Sequence, residues 1–114
     1  MRGIDLNWAG AERTFLLNID LLRALEEKCD AGPAWILQRL ANEQWRTGDV
    51  YETIRFALEG GGMEKDDARK LVARHFADHP LGNSAITAQT ILMAALYGEE
   101  EDATEGEAKA AAAE

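Results

Sequence analysis

Apolar and polar residues alternate from Ile4: Ile4, Leu6 and Trp8 are separated by Asp5 and Asn7. A period of two places the three apolar side chains on one face of a strand. Ala9-Gly10-Ala11 supplies a turn. Beyond it, Arg13, Phe15 and Leu17 alternate with Thr14 and Leu16, which predicts a second strand and hence a β-hairpin. A hairpin alone is marginal in water, so its apolar face must rest on helices.

The period then lengthens. Ile19, Leu21, Leu22 and Leu25 mark the buried face of a first helix, with Asn18 or Asp20 as its N-cap and Cys29-Asp30-Ala31-Gly32 as its end. Pro33 suits the first turn of a second helix, where a missing N–H costs nothing. Ile36, Leu37, Leu40, Ala41 and Trp45 follow at helical spacing. Thr47-Gly48-Asp49 interrupts the run, with Asp49 as the cap of a third helix that carries Val50, Tyr51, Ile54, Ala57 and Leu58. Gly60-Gly61-Gly62 stops it, because glycine gains least from helical order. A fourth helix starts near Glu64, its first turn acidic as the dipole prefers, and ends at Asp78-His79-Pro80. Asn83 or Ser84 caps a fifth. From Ala85 to Tyr97 that helix has no charge, which predicts a central helix buried all round, with Gly98 as its stop.

The expected fold is therefore α+β and mostly helical: an N-terminal β-hairpin, then about five helices. Residues 1–98 form one domain. Residues 99–114 hold seven acids against Lys109 and no large apolar side chain, so a disordered acidic tail is expected.

Charge narrows the function. The formal net charge is -9, of which -6 lies in residues 99–114 and -3 in the body. Phosphate backbones and anionic lipid surfaces favour the opposite sign, so neither nucleic acid nor membrane is an expected partner. The uncharged stretch from Ser84 to Gly98 has 15 residues and includes Thr87, Gln89 and Thr90, short of a bilayer span. No secretory signal is expected. The single cysteine, Cys29, cannot form an intrachain disulfide, which suits a reducing cytoplasm.

Candidate chemistry is thin. His75 and His79 share a helix face, but the zinc-protease pattern needs a glutamate after the first and Phe76 stands there. Cys29 lies near a helix C-terminus, where the dipole raises a thiol pKa. The triple glycine lacks the Lys-Ser/Thr continuation of a phosphate loop; it reads as a helix stop with close backbone approach. Glu26-Glu27 and Asp66-Asp67 are helix neighbours that do not face each other. No catalytic residue, metal or cofactor is expected, and the chain reads as a non-enzyme. Of Trp8, Trp35 and Trp45, the last stands beside Arg46-Thr47-Gly48 and is the best candidate for a partner contact.

The order of these motifs resembles a known family. Leu21-Leu22-Arg23-Ala24-Leu25-Glu26 follows the hairpin; Leu40-Ala41 and Trp45 come next; then Ile54-Arg55-Phe56-Ala57-Leu58-Glu59-Gly60-Gly61-Gly62-Met63, Pro80-Leu81 with Asn83, and Ile91-Leu92-Met93-Ala94-Ala95-Leu96-Tyr97-Gly98. Over residues 1–98 this is similar to the small tail protein of gene transfer agents and related long-tailed phages. That family is regarded as a tail-assembly chaperone and is also labelled a tail tube protein. The resemblance implies a chaperone that binds the tape measure protein, helps recruit major tail tube subunits, acts in the bacterial cytoplasm and is absent from the mature particle. The alternative it implies is a structural tail component, tube or connector. Self-association stays open. The expected contact surface is the groove beside the triple glycine, with Trp45, Gly60, Gly61, Gly62 and Met63.

Overall fold

The structure, a computed structural model, describes residues 3–98; the expected acidic tail, residues 99–114, lies outside the described residues. Strands β1 (Ile4–Trp8) and β2 (Ala11–Phe15) form an antiparallel hairpin, followed by helices α1 (Ile19–Cys29), α2 (Pro33–Ala41), α3 (Thr47–Gly60), α4 (Lys65–Asp78) and α5 (Gly82–Tyr97). Hairpin, helix count and order agree with the periodicity.

Register pairs Ile4 with Phe15 and Trp8 with Ala11. The two turn residues, Ala9 and Gly10, both have positive φ (54° and 83°), the twist that joins adjacent strands tightly. Strand pairing stops at Phe15, before Leu17. There the Leu16 N–H donates to the Ala57 carbonyl of α3 at 3.0 Å, so a helix end takes over the role of a strand partner.

Helix boundaries follow local chemistry. Asn18, not Asp20, caps α1: its side chain accepts the Leu21 N–H at 2.9 Å. Ile19, in the first turn of α1, is exposed rather than part of the buried face. Pro33 opens α2 as expected. That helix ends at Ala41, and Glu43 takes a positive φ of 58°, so Trp45 lies in the α2–α3 loop and not on the helix. The Glu64 carboxylate accepts the Asp67 N–H at 3.1 Å and caps α4.

The central helix is α3, not α5. Every residue from Thr53 to Leu58 is buried, and α3 packs on α1, α4, α5 and β2. Two of those buried residues are polar. Arg55 is tied to Glu52 (2.7 Å) and Glu59 (3.1 Å) and lies 4.2 Å over the Phe56 ring. Thr53 Oγ1 is buried with no hydrogen-bond partner among the described residues. A buried hydroxyl left unpaired costs about 1–3 kcal/mol, so Thr53→Val is expected to be neutral or stabilising by up to ~1 kcal/mol in urea unfolding. Destabilisation of that size would show that the hydroxyl has a partner.

α3 begins at Thr47, two residues before the expected cap. Asp49 still caps it, from inside the first turn: its Oδ2 accepts the Arg46 N–H at 2.8 Å. The same carboxylate receives Arg39 from α2 through two bonds, Nε to Oδ2 at 2.9 Å and Nη2 to Oδ1 at 2.6 Å, both buried. A single acid thus starts α3 and fastens α2 to it.

Neither Asn83 nor Ser84 caps α5, which already starts at Gly82 and has no side-chain cap; Ser84 is buried and its Oγ accepts the Trp8 indole N–H at 3.0 Å. This bond anchors the hairpin to α5 across 76 residues of sequence. Trp8 also meets Phe15, His75 and Phe76 edge-on or tilted, so the strand end, α4 and α5 share one aromatic corner.

Candidate functional site

α5 is uncharged, yet one side of it is open to solvent. Ala85, Ala88, Ile91 and Leu92 face the core. On the opposite side Ile86, Met93 and Tyr97 are 71, 49 and 69% exposed. With Thr90, which is also exposed, they stand at i, i+4, i+7 and i+11 and so form one stripe. Thr90 Oγ1 donates back to the Ile86 carbonyl at 2.9 Å, so its proton is taken up within the helix.

α2 lies alongside and turns the stripe into a groove. One stretch, about 570 Å³, runs between Ala34, Leu37 and Gln38 of α2 and Met93 and Tyr97 of α5. Another, about 390 Å³, continues toward Trp45, Gly82, Ala85 and Ile86. Ala41 and Gln89 line both, so the two are continuous along α5. A 16-residue helix rises about 1.5 Å per residue, giving the groove a length of about 22 Å. Glu43 is the single charged residue in its lining, at the Trp45 end.

Of the residues expected to meet a partner, the structure places Trp45 in this groove, half-buried. Gly61 and half-buried Met63 line a different, smaller cleft with Thr14 and Leu58. The triple glycine has another function. A Cβ on Gly60 would stand 1.9 Å from the Leu16 carbonyl oxygen, and one on Gly61 2.0 Å from that of Thr14. These two glycines let the end of α3 press onto the backbone of β2 at Thr14 and of Leu16 just beyond it. Gly62 faces open space but holds φ at 113°, a conformation glycine alone adopts without strain. Close backbone approach, one of the two readings of the motif, is what the geometry contains. The expected groove beside the triple glycine with Trp45 is thus two separate places. Sequence reading missed Ile86, Met93 and Tyr97 because it placed them in a helix surrounded by core. The i, i+4, i+7, i+11 spacing was the signal available.

Cys29 is buried at the end of α1, its thiol 3.5 Å from the Gly48 carbonyl, to which it donates. Burial, and then the charges of Asp49 and Glu52, push its pKa up to about 11. The cause is desolvation first, rather than the helix dipole alone. A thiol with that pKa is almost wholly protonated at pH 8. In the native protein a disulfide reagent is therefore expected to modify Cys29 at least about a hundredfold more slowly than in denaturant, since fewer than ~1 in 100 thiols are ionised. Equal rates would refute the buried placement.

Among the described residues no group of three metal-ligating side chains occurs, and no helix is long and apolar enough to cross a membrane. The fold and groove define a small hairpin-and-helix domain with a surface channel between α2 and α5 whose single charged lining residue is Glu43. The chain belongs to the family described as phage tail tube protein, GTA-gp10, whose model matches residues 3–98. It is therefore a phage or gene transfer agent tail-related protein. The family's description names the tube, and so accords with a structural tail component more directly than with an assembly chaperone. No curated protein and no solved structure matches the chain.

Proposed function

We propose that this protein is a non-enzymatic tail-assembly chaperone whose α2–α5 groove receives an amphipathic helix of the tape measure protein. The observation that carries this reading is the exposed stripe Ile86, Met93 and Tyr97 beside α2. A groove of this length, charged only at its Glu43 end, suits three turns or more of a partner helix, with anchors at i, i+3 or i+4, and i+7. Binding of this kind is weak per site and reversible, as a coat on a long chain must be. Major tail tube subunits would replace it during assembly in the bacterial cytoplasm, leaving the mature particle without it.

Co-expression with the tape measure protein tests the idea. The native chain should raise the soluble yield of that protein. Met93→Glu and Ile86→Glu place a charge in the groove without touching the core, and each is expected to weaken binding about tenfold, or ~1.4 kcal/mol. Unchanged yield with the native chain would overturn the reading.

A structural tail component, tube or connector, is the second reading, and the family's description favours it. Against it stands the shape of a tube subunit, in which sheets join into rings; here the described residues hold one two-stranded sheet. Immunodetection in purified particles separates the two: a tube or connector is retained in stoichiometric amounts, a chaperone is lost.

A further inference from the structure

The open side of α5 is complementary to itself. Beyond the first turn its exposed side chains are Ile86, Thr90, Met93 and Tyr97, at successive steps of 4, 3 and 4. Alternating steps of three and four form the seam of a helix pair. This order also reads the same in both directions. A second α5 laid antiparallel therefore sets Ile86 against Tyr97 of the other copy and Thr90 against its Met93, and a twofold axis repeats both layers.

Charge favours the same contact. Thr87, Gln89, Ala94 and Leu96 border the stripe, and like every residue from Gly82 to Tyr97 they are uncharged. Two copies of a chain with net charge -9 repel, so they meet at least cost where neither surface is charged. Direction follows too. Glu99, Glu100, Glu101 and Asp102 come directly after Gly98 in the sequence. A parallel pair would start both acidic segments at the same end of the seam. An antiparallel pair starts them at opposite ends, about 24 Å apart for a helix of 16 residues. Thr90 costs little to cover, since its proton is already bonded to the Ile86 carbonyl.

The geometry points to a second copy of this chain as an occupant of the stripe, in a twofold antiparallel α5–α5 dimer. It stands on α5 alone and does not depend on the proposed function. Where that function holds, a tape measure helix must displace the second copy, because both cover Ile86, Met93 and Tyr97. Four side chains from each copy cover less than the roughly 800 Å² per partner of a standard interface, so the dimer is transient, dissociating at about 10–100 µM. Glu43, at the Ile86 end of the groove, lies toward the start of the other copy's acidic segment. Raising salt from about 0.05 to 0.5 M screens that repulsion and tightens the dimer severalfold.

Sedimentation equilibrium of the purified full chain, with no other protein present, measures the association. A concentration-dependent dimer is expected. Met93→Glu should weaken it at least tenfold, and Thr90→Leu should tighten it about tenfold by adding apolar contact with Met93 of the other copy. Both positions are exposed, so neither change disturbs the core. Single cysteines read the direction. Ile86→Cys chains mixed with Tyr97→Cys chains should form a disulfide dimer on mild oxidation, and each alone should not. A cysteine and its own copy would stand about 16 Å apart along the seam, beyond the roughly 7 Å that a disulfide spans between Cα atoms. Cys29 is buried and common to all, so the native chain is the blank. The dimer is ruled out if the chain stays monomeric at about 1 mM, if Met93→Glu or Thr90→Leu leaves the association unchanged, or if either cysteine chain cross-links alone as readily as the mixture. Co-expression reads tape measure binding separately, so either reading can fail without the other.

Discussion

Gly60→Ala and Gly61→Ala each destabilise the domain by about 3 kcal/mol or more, lowering the melting temperature by on the order of 15 °C. Glycine-to-alanine changes within or beside a helix ordinarily stabilise, by about 0.4–1 kcal/mol. Here the sign reverses because the added methyl has nowhere to go. At Gly60 it would meet the Leu16 carbonyl oxygen at 1.9 Å, the Leu16 carbonyl carbon at 2.9 Å and the Leu21 side chain at 2.8 Å. At Gly61 it would meet the Thr14 carbonyl oxygen at 2.0 Å and carbon at 2.7 Å. The carbonyls are backbone atoms, held by the Leu16 N–H to Ala57 bond and by strand pairing, so they cannot swing aside as the Leu21 side-chain tip could. Gly48 is the internal control. It lies in the first turn of α3 with nothing near its missing Cβ, so Gly48→Ala is expected to stabilise by up to about 1 kcal/mol. Thermal unfolding of the three variants gives the answer. Stabilisation at Gly60 or Gly61 would mean that α3 does not lie against the hairpin's exit strand.

The Arg39–Asp49 pair produces the second large effect. Asp49→Ala leaves a buried guanidinium without its carboxylate and α3 without its cap, at a cost of about 3–5 kcal/mol. Arg39→Met leaves the carboxylate with the Arg46 N–H and costs about 3 kcal/mol. The double variant removes both charges, so its loss falls short of the sum by about 2 kcal/mol or more. The strong restoring term is the desolvation each charge suffers alone: both side chains are almost completely buried and bound through two hydrogen bonds. Urea unfolding of the four proteins measures the coupling directly. Additive losses would show that the two charges are solvated independently.

Both effects arise from residues whose identity was legible in sequence and whose geometry was not. The triple glycine was visible as punctuation, since three residues that resist helical order cannot extend α3. That Gly60 and Gly61 serve a backbone crossing while Gly62 serves a positive φ could be decided only once β2 and α3 were side by side. Asp49 was visible as a cap. Its second partner, Arg39, lies ten residues earlier on a different helix, where no periodic signal joins the two. Trp45 was singled out for its indole and does line the groove, but Met63 and the glycines belong elsewhere, because the α2–α3 loop and the α3–α4 turn lead to different surfaces.

What the sequence determined by itself was local: two strands from a period of two, five helices from a longer period, and several of their ends from Asn18, Pro33, the triple glycine and Gly98. Those signals act over a few residues, through backbone sterics and nearby hydrogen bonds, so they survive without knowledge of the rest of the chain. Tertiary structure alone decided which helix is enclosed. An uncharged helix such as α5 is permitted to be buried on every side, but burial needs neighbours, and α1, α4, α5 and β2 surround α3. α5 was left with one covered face and one open one, and that open face, beside α2, carries Ile86, Met93 and Tyr97, three of the five large apolar side chains exposed among the described residues.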